Sequence, residues 1–356
     1  MMGLEHSDWR GRRVLITGHT GFKGAWLALW LERLGAQVHG FSLPPESADG
    51  AFARLRPLPT TSRIGDIRHA REMRDAVMDV APSVVFHLAA EAIVRRAYRS
   101  PVDTFETNVM GTINVLEAVR ACDAVEAVLV VTSDKVYEDA SERPAREGDP
   151  LGSGDPYSSS KACAELVVRA WRSSFLERRN VHLGTGRAGN VIGGGDTALD
   201  RLVPDVLRAD LAKEPVVLRH PRAIRPWQHV LDPLHGYLLF AQDLLGGGFA
   251  GPTALNFGPD DVTWSVLDVI TYLQRALGGG SVEVGDDTGP HEAPALLLDS
   301  ELAGRTLGWR PVLGTGDALD WTAQWHRAAR TGADLRALAL QQIAAFEARA
   351  STDPIS

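Results

Sequence analysis

At 356 residues, with 44% hydrophobic and 23% charged residues, the chain has the length for one large domain or two unequal ones and the apolar content for a sizeable core. Its formal net charge of -8 excludes a global field that would draw in nucleic acid or an anionic membrane, so any phosphate binding must be local. Two cysteines, Cys122 and Cys163, are too few for a disulfide framework and lack metal-ligand spacing, and no run of about 18 apolar residues marks a membrane span.

The opening stretch, MMGLEHSDWRGRR, has no apolar segment of secretory type, which makes a cytoplasmic enzyme or binding protein the expectation. Residues 13–18, RVLITG, form a short apolar run ending in glycine and predict a buried strand. GHTGFKG, residues 18–24, follows it and leads into GAWLALWLERLGA, where apolar residues recur at helical spacing. Glycines spaced GxxGxxG permit a tight turn and let backbone N–H groups approach a pyrophosphate, and the helix N-terminus adds a favourable potential for the anion. A plain glycine-rich turn is the alternative. The position between a strand and a helix favours a dinucleotide, with Gly18, Thr20, Gly21, Phe22, Lys23 and Gly24 as cofactor-binding residues. The second strand, QVHGFSL, ends without the acid that would read an adenosine ribose through its 2′-hydroxyl. Its nearest polar residues are His39 and Ser42, of which Ser42 is assigned to the cofactor, and the choice between NAD and NADP stays open. Asp66 in IGDI, next to Ile67, can accept from an adenine amine or simply shape a turn.

PSVVFHLAA, residues 82–90, predicts a third strand opened by proline. TNVMGTINVLEAVRAC reads as an amphipathic helix and EAVLVVTS as a further strand. DPYSSSKACAELVVRAWRSSF opens as a turn and continues as a long helix, and NVHLGTGRAGNVIG ends the regular alternation. Strands alternating with helices predict an α/β fold with a doubly wound parallel sheet, Rossmann-like, and a ligand at the carboxyl ends of the strands. Beyond Gly193 the elements shorten and loops such as RHPRAIRPWQHV appear. The predicted organisation is a dinucleotide-binding domain over 1–192, a smaller C-terminal substrate-binding part over 193–330 whose segments return to the main sheet, and a helical tail over 331–356.

Two constellations carry chemistry. Tyr157 and Lys161, in YSSSK, are four apart at a helix start and share one face. A lysine ammonium near a phenol favours the phenolate, which can take a hydroxyl proton as hydride leaves for a nicotinamide. The second is Asp134 and Lys135 in VVTSDKVYED, just after Thr132 and Ser133. Neighbours on a strand point to opposite faces, so both can reach one substrate only where the strand breaks into a loop. In isolation SDK reads as a solvated turn; at a strand end facing the ligand crevice it reads as an acid and a base.

The phosphate loop, YSSSK, HLAA, Asn108 in TNVMGT and RAGNVIGGGD together resemble the extended short-chain dehydrogenase/reductase family, from GRRVLITG to LGWRP. The resemblance implies nucleotide-activated sugars as substrates, a cofactor recycled within each turnover, and a homodimer paired through the helices of NVMGTINVLEAV and KACAELVVRAW. It places Leu88, Ala89 and Ala90, with Tyr157 and Lys161, against the cofactor. Tyr157 and Lys161 match the catalytic pair, and Thr132 the residue that hydrogen-bonds the sugar 4-hydroxyl. TSDK, NVIGGGD, ALDR, IRPWQHV, NFGP and PHEA look like the CDP-glucose 4,6-dehydratase group. There Asp134 would be the acid toward the 6-hydroxyl and Lys135 the base toward C5. Substrate-binding candidates are Glu91, Asn108, Asn190, Arg201, Arg225 and His291, the last beside Glu292. No metal is expected. Glu91, Val136, Gly186 and Thr197 depart from the family pattern. An inverting UDP-N-acetylglucosamine 4,6-dehydratase, a 4-epimerase relying on Tyr157, and a non-catalytic dinucleotide-binding protein are the rival readings.

Overall fold

The apolar runs of the sequence pair side by side. The strands are β1 (Arg13–Thr17), β2 (Gln37–Ser42), β3 (Thr60–Ile64), β4 (Val84–His87), β5 (Ala127–Val131), β6 (His182–Ala188), β7 (Val191–Ile192), β8 (Val216–Leu218), β9 (Gln228–His229), β10 (Ala254–Phe257) and β11 (Val282–Val284). Seven of them make one parallel sheet in the order β10-β6-β5-β4-β1-β2-β3. The computed structural model describes residues 3–58, 60–138, 143–218, 220–247, 251–285 and 297–352.

β4, β5 and β6 are buried along their whole length. Helices cover both faces of a parallel sheet, so its central strands read as continuous apolar runs. β3, TTSRI, closes one edge and is mostly exposed, which suits its polar side chains. Chain order reverses between β1 and β4, and the crevice beyond their carboxyl ends is where this topology holds a ligand. The two short pairs β7–β9 and β8–β11 stand apart from the main sheet.

The C-terminal part interleaves with the first. Helix Leu231–Leu245 lies on β5 and β6, and β10 extends the sheet beyond β6. Helix Phe22–Arg33 is buried from Gly24 to Leu31, because the final helix, Leu335–Thr352, covers its outer side. Phe346 packs edge-on against Trp30, with ring centroids 5.5 Å apart. Glu347 accepts from Trp30 Nε1 at 2.9 Å and pairs with Arg33 at 2.9 Å. Phe346 and Ile343 are fully buried, and each such side chain contributes about 1.5–3 kcal/mol. The tail is therefore a wall of the core. Cys122 is buried and Cys163 half-buried, both as free thiols.

The interior holds histidines that cannot easily charge. Burial pulls His19 down to about 4 and His87 and His229 down to about 3. In the unfolded chain each binds a proton near pH 6.5, while the folded state resists it. Stability therefore falls as pH drops from about 6.5 toward 4, by roughly 1.4 kcal/mol per pH unit for each histidine at the steepest point. Asp232 has the opposite sign, since burial raises it to about 7 and the folded state holds its proton, but it stands against four histidines, because burial draws His235 down to about 4 as well. Urea unfolding at pH 7, 6 and 5 is expected to show a steadily falling midpoint; a midpoint that rises toward pH 5 would contradict this.

Candidate active site

A cleft of about 1330 Å³ opens at the carboxyl ends of the sheet strands. One end is formed by the phosphate loop. Gly18 has a left-handed backbone with φ +80°, and a Cβ there would stand 2.7 Å from the amide nitrogen of Ala89. A Cβ on Gly24 would stand 2.2 Å from the carbonyl of Gly18. The loop thus has its shape only with glycine at both ends, and it delivers the N-terminus of the twelve-residue helix Phe22–Arg33 to the cleft. That cradle fits a pyrophosphate. Thr20, Gly21, Phe22, Lys23, Ser42, Asp66, Ile67, Leu88, Ala89 and Ala90 line the same region. Thr20 Oγ1 and Ser42 Oγ share a 2.7 Å hydrogen bond. Both oxygens of Asp66 accept from Arg68, at 2.9, 2.9 and 2.7 Å, so this carboxylate is already held by its neighbour.

Asn190, Arg201 and Arg225 line the same cleft, and Arg201 lies near enough to act electrostatically on Lys23 and Tyr157. Arg201 pairs with Asp196 at 3.1 Å. His291 and Glu292 lie outside the described residues. Among the described residues no group of three or more His, Cys, Asp or Glu side chains is placed to hold a metal ion.

The start of the Tyr157 helix lines the cleft as well. Asp155 caps it, accepting from Ser158 N at 3.0 Å, and Pro156 occupies its first turn. Tyr157 faces the cleft. Burial pushes its phenol up to about 12, the Ser133 hydroxyl pulls against that, and the nearby Asp134 adds to the rise. Lys161 is drawn down to about 8 by burial, opposed by Glu165, and its Nζ donates to the Val131 carbonyl at 3.2 Å. The sequence-based expectation was that Lys161 lowers the phenol. Instead burial outweighs the other influences, and Lys161 is not among the main ones.

β5 ends at Val131, and a 3-10 turn, Asp134–Val136, follows. That break resolves the alternation problem, because Asp134 and Lys135 both open on the cleft. Asp134 is 1% exposed. Its Oδ1 accepts from Ser133 Oγ at 2.9 Å and from Lys135 Nζ at 3.4 Å, and its buried Oδ2 has no hydrogen-bond partner. The Lys135 side chain is 30% exposed rather than buried: the turn leaves it on the cleft wall.

Thr132 borders the cleft, and its hydroxyl donates to Glu165 Oε1 at 2.5 Å. Glu165 also accepts from Thr185 Oγ1 at 2.8 Å and from Arg187 Nε and Nη2, both at 2.9 Å. Both members of the Glu165–Arg187 pair are 4% exposed. Thr132 thus belongs to a buried polar network, and the hydroxyl beside Tyr157 is that of Ser133. Removing one member of a buried pair strands the other charge. Arg187→Ala is expected to cost about 3–5 kcal/mol, read as a lowered midpoint in chemical denaturation. A loss below about 1 kcal/mol, the range of exposed pairs, would show that the network carries no such weight.

Asn108 is not among the residues that line the cleft. It sits in a π-helical turn, Glu106–Met110, and is 2% exposed. Its Nδ2 donates to the Glu91 carbonyl at 3.0 Å and to Ser160 Oγ at 2.9 Å, and its Oδ1 accepts from Glu91 N at 2.8 Å. It ties the strand-end loop to the Tyr157 helix. Glu91 lines the cleft, yet its carboxylate accepts from Ile93 N at 3.0 Å and pairs with Arg96 at 3.5 Å.

The family model described as "NAD dependent epimerase/dehydratase family" matches residues 14–248. CDP-glucose 4,6-dehydratase of Salmonella typhimurium is 42% identical over 353 residues, which span 96% of this chain and 98% of that one. dTDP-glucose 4,6-dehydratase of Mycolicibacterium smegmatis is 30% identical over 322 residues, 87% of this chain and 92% of that one. Among solved structures, DesIV, a dTDP-glucose 4,6-dehydratase from Streptomyces venezuelae with NAD bound, superposes with a TM-score of 0.77 at 26% identity, covering 91% of this chain and 99% of that one.

Proposed function

The chain belongs to the NAD dependent epimerase/dehydratase family, and from that premise we propose that it is a nucleotide-sugar 4,6-dehydratase that converts CDP-D-glucose to CDP-4-keto-6-deoxy-D-glucose. One observation carries the reading: Asp134 and Lys135 both open on the cleft that Tyr157 faces. An epimerase acting through Tyr157 alone has no use for a second acid and base, and a non-catalytic dinucleotide binder has no use for Tyr157 and Lys161. The 42% identity to the Salmonella enzyme favours cytidine over other nucleotides, and with it CDP-glucose over a UDP-2-acetamido sugar.

NAD would be held by the phosphate loop, Gly18 to Gly24, and when bound would supply the hydride acceptor for C4 and the hydride donor for C6. The chain's own groups move the protons. Tyr157, as phenolate, takes the proton of the sugar 4-hydroxyl, with the Ser133 hydroxyl beside it. The ketone at C4 acidifies the C5 proton, which Lys135 removes. Asp134 protonates the 6-hydroxyl as it leaves as water, and Lys135 returns its proton to C5. An acid and a base side by side contribute about 10²–10⁴-fold each when correctly protonated. Arg201 and Arg225 are the donors for the nucleotide diphosphate, for which a planar guanidinium is well suited.

Val102, Phe105 and Met110, from the chain segment that leads into helix Gly111–Ala121, and Leu166 of the Tyr157 helix are large apolar side chains left exposed. They support a homodimer through these helices. No helix among the described residues is long and apolar enough to cross a membrane, and a cytoplasmic location goes with the reading. The test is a panel of CDP-, dTDP-, UDP- and GDP-glucose with UDP-N-acetylglucosamine, assayed for 4-keto-6-deoxy product. Turnover of CDP-glucose above the rest is expected; product from none of them would end the reading.

A further inference from the structure

Helix Val94–Arg99 follows β4 and carries three arginines. Ala97 at its centre is fully buried, and the helix packs on the Tyr157 helix, so it stands as a fixed post. Each arginine meets a carboxylate on another segment of the cleft. Arg96 Nη1 donates to Glu46 Oε1 at 2.8 Å. Arg95 and Arg99 reach Asp200 at 3.4 and 3.3 Å. Glu46, Arg95, Arg96 and Asp200 all line the cleft.

The sheet order tells what these pairs span. β1 lies between β4 and β2, and the phosphate loop follows β1. Arg96 comes from the segment after β4 and Glu46 from the segment after β2. Their ion pair therefore joins the two neighbours of the phosphate loop across the cleft that the loop lines. On the other side β5 lies between β4 and β6, so the Asp200 pairs flank the turn of Asp134 and Lys135. One helix thus clasps the cofactor side and the sugar side by separate arginines.

The Glu46 segment is the looser partner. Residues 43–46 are exposed. Thr20 Oγ1 ties their root by donating to the Leu43 carbonyl at 2.9 Å, and Arg96 ties their far end. Glu91 Oε2, 3.5 Å from the same Arg96 nitrogen, keeps the guanidinium in place. That gives the charge of Glu91 a use apart from the sugar. A hydride taken from C4 has to come back to C6, so the dinucleotide must stay while sugars come and go.

We propose that the Arg96–Glu46 ion pair is a latch that retains the dinucleotide on the phosphate loop from one turnover to the next. The need for retention rests on the dehydratase reading above. Arg96 acts through Glu46 and its segment, as a positioning residue, and takes no part in proton or hydride transfer.

The test is the release of NADH. Protein loaded with NADH is mixed with excess NAD in a stopped-flow instrument, and release is read as the loss of nicotinamide fluorescence. The side chains of Arg96 and Glu46 are 39% and 71% exposed, so their removal should leave the fold intact. The latch predicts release about 2–5-fold faster from Arg96→Leu, the range of an exposed ion pair. Glu46→Ala should match it, and the double variant should be no faster than either, because one interaction is lost in all three. Added NaCl should speed release more from the wild type than from the variants. Asp200→Asn, which loosens only the sugar side, should release NADH at the wild-type rate. Unchanged release from both single variants, effects that add in the double variant, or an equal salt response throughout would each overturn the latch. Equal acceleration by Asp200→Asn would overturn it too, by showing a general loosening of the cleft, and wild-type protein that binds no NADH would overturn it together with the cofactor assignment. No sugar is present in these measurements, so their outcome is separate from that of the nucleotide-sugar panel, which decides the dehydratase reading.

Discussion

Lys135→Ala is expected to oxidise its substrate and then stop. The phosphate loop, Tyr157 and Lys161 are untouched by the change, so reduced cofactor should still accumulate. The C5 proton then has no base. Asp134, the nearest ionisable neighbour, is assigned to the 6-hydroxyl and must be protonated for that task. Formation of the 4-keto-6-deoxy product should fall by about 10²–10⁴-fold, the range that positioned acid–base groups contribute. Absorbance of reduced cofactor and product formation, followed in the same sample, separate the two steps. Elimination at the wild-type rate would show that another group takes the C5 proton.

Tyr157→Phe should fail one step earlier. The substitution keeps the ring in a pocket where the residue is 7% exposed, so folding and cofactor binding should persist. It removes the oxygen that takes the 4-hydroxyl proton. The phenol stands at about 12, chiefly because burial disfavours its charge, which makes the phenolate scarce but strongly basic when it forms. Loss of about 10²–10⁴-fold in C4 oxidation is expected, with no reduced cofactor and no product. Normal appearance of reduced cofactor would move the base to another residue. The two variants together order the reaction: one blocks before oxidation, the other after it.

Much of the fold could be read in advance because parallel strands buried on both faces announce themselves. Val84–His87 and Ala127–Val131 are continuous apolar runs between helical segments, and a strand–glycine loop–helix sequence can bind phosphate only at its turn. The edge strand β3, TTSRI, left no such mark, since an edge needs no apolar run. Helix Ala70–Val80 did leave one, in the one-sided spacing of Met73, Ala76 and Val77. The partners of the tail helix, Trp30, Arg33 and Glu32, lie some 300 residues upstream, so no local spacing shows what it covers.

The site was legible in its residue types more than in its contacts. Tyr157, Lys161, Asp134 and Lys135 are brought to one cleft, as their motifs implied. The sequence assigns Thr132 to the sugar, while in the fold its hydroxyl meets Glu165, and on extended chain a step of one residue exchanges the faces. A signal was present: Glu165 is four residues beyond Lys161 on the same helix, and a buried carboxylate there needs donors. Thr132, Thr185 and Arg187 supply them, which leaves Ser133 for the cleft. Glu91 was singled out for its charge, but its charge is answered by Arg96 and by the amide of Ile93, contacts that no sequence spacing reveals.

In the proposed reaction one hydride leaves C4 and returns to C6 of the same sugar. CDP-glucose carrying deuterium at C4 tests it directly. The expected product is a 4-keto-6-deoxy sugar with that deuterium in its C6 methyl group, transferred within each molecule. Deuterium retained at C4 of an epimerised sugar, or lost to solvent, would contradict it.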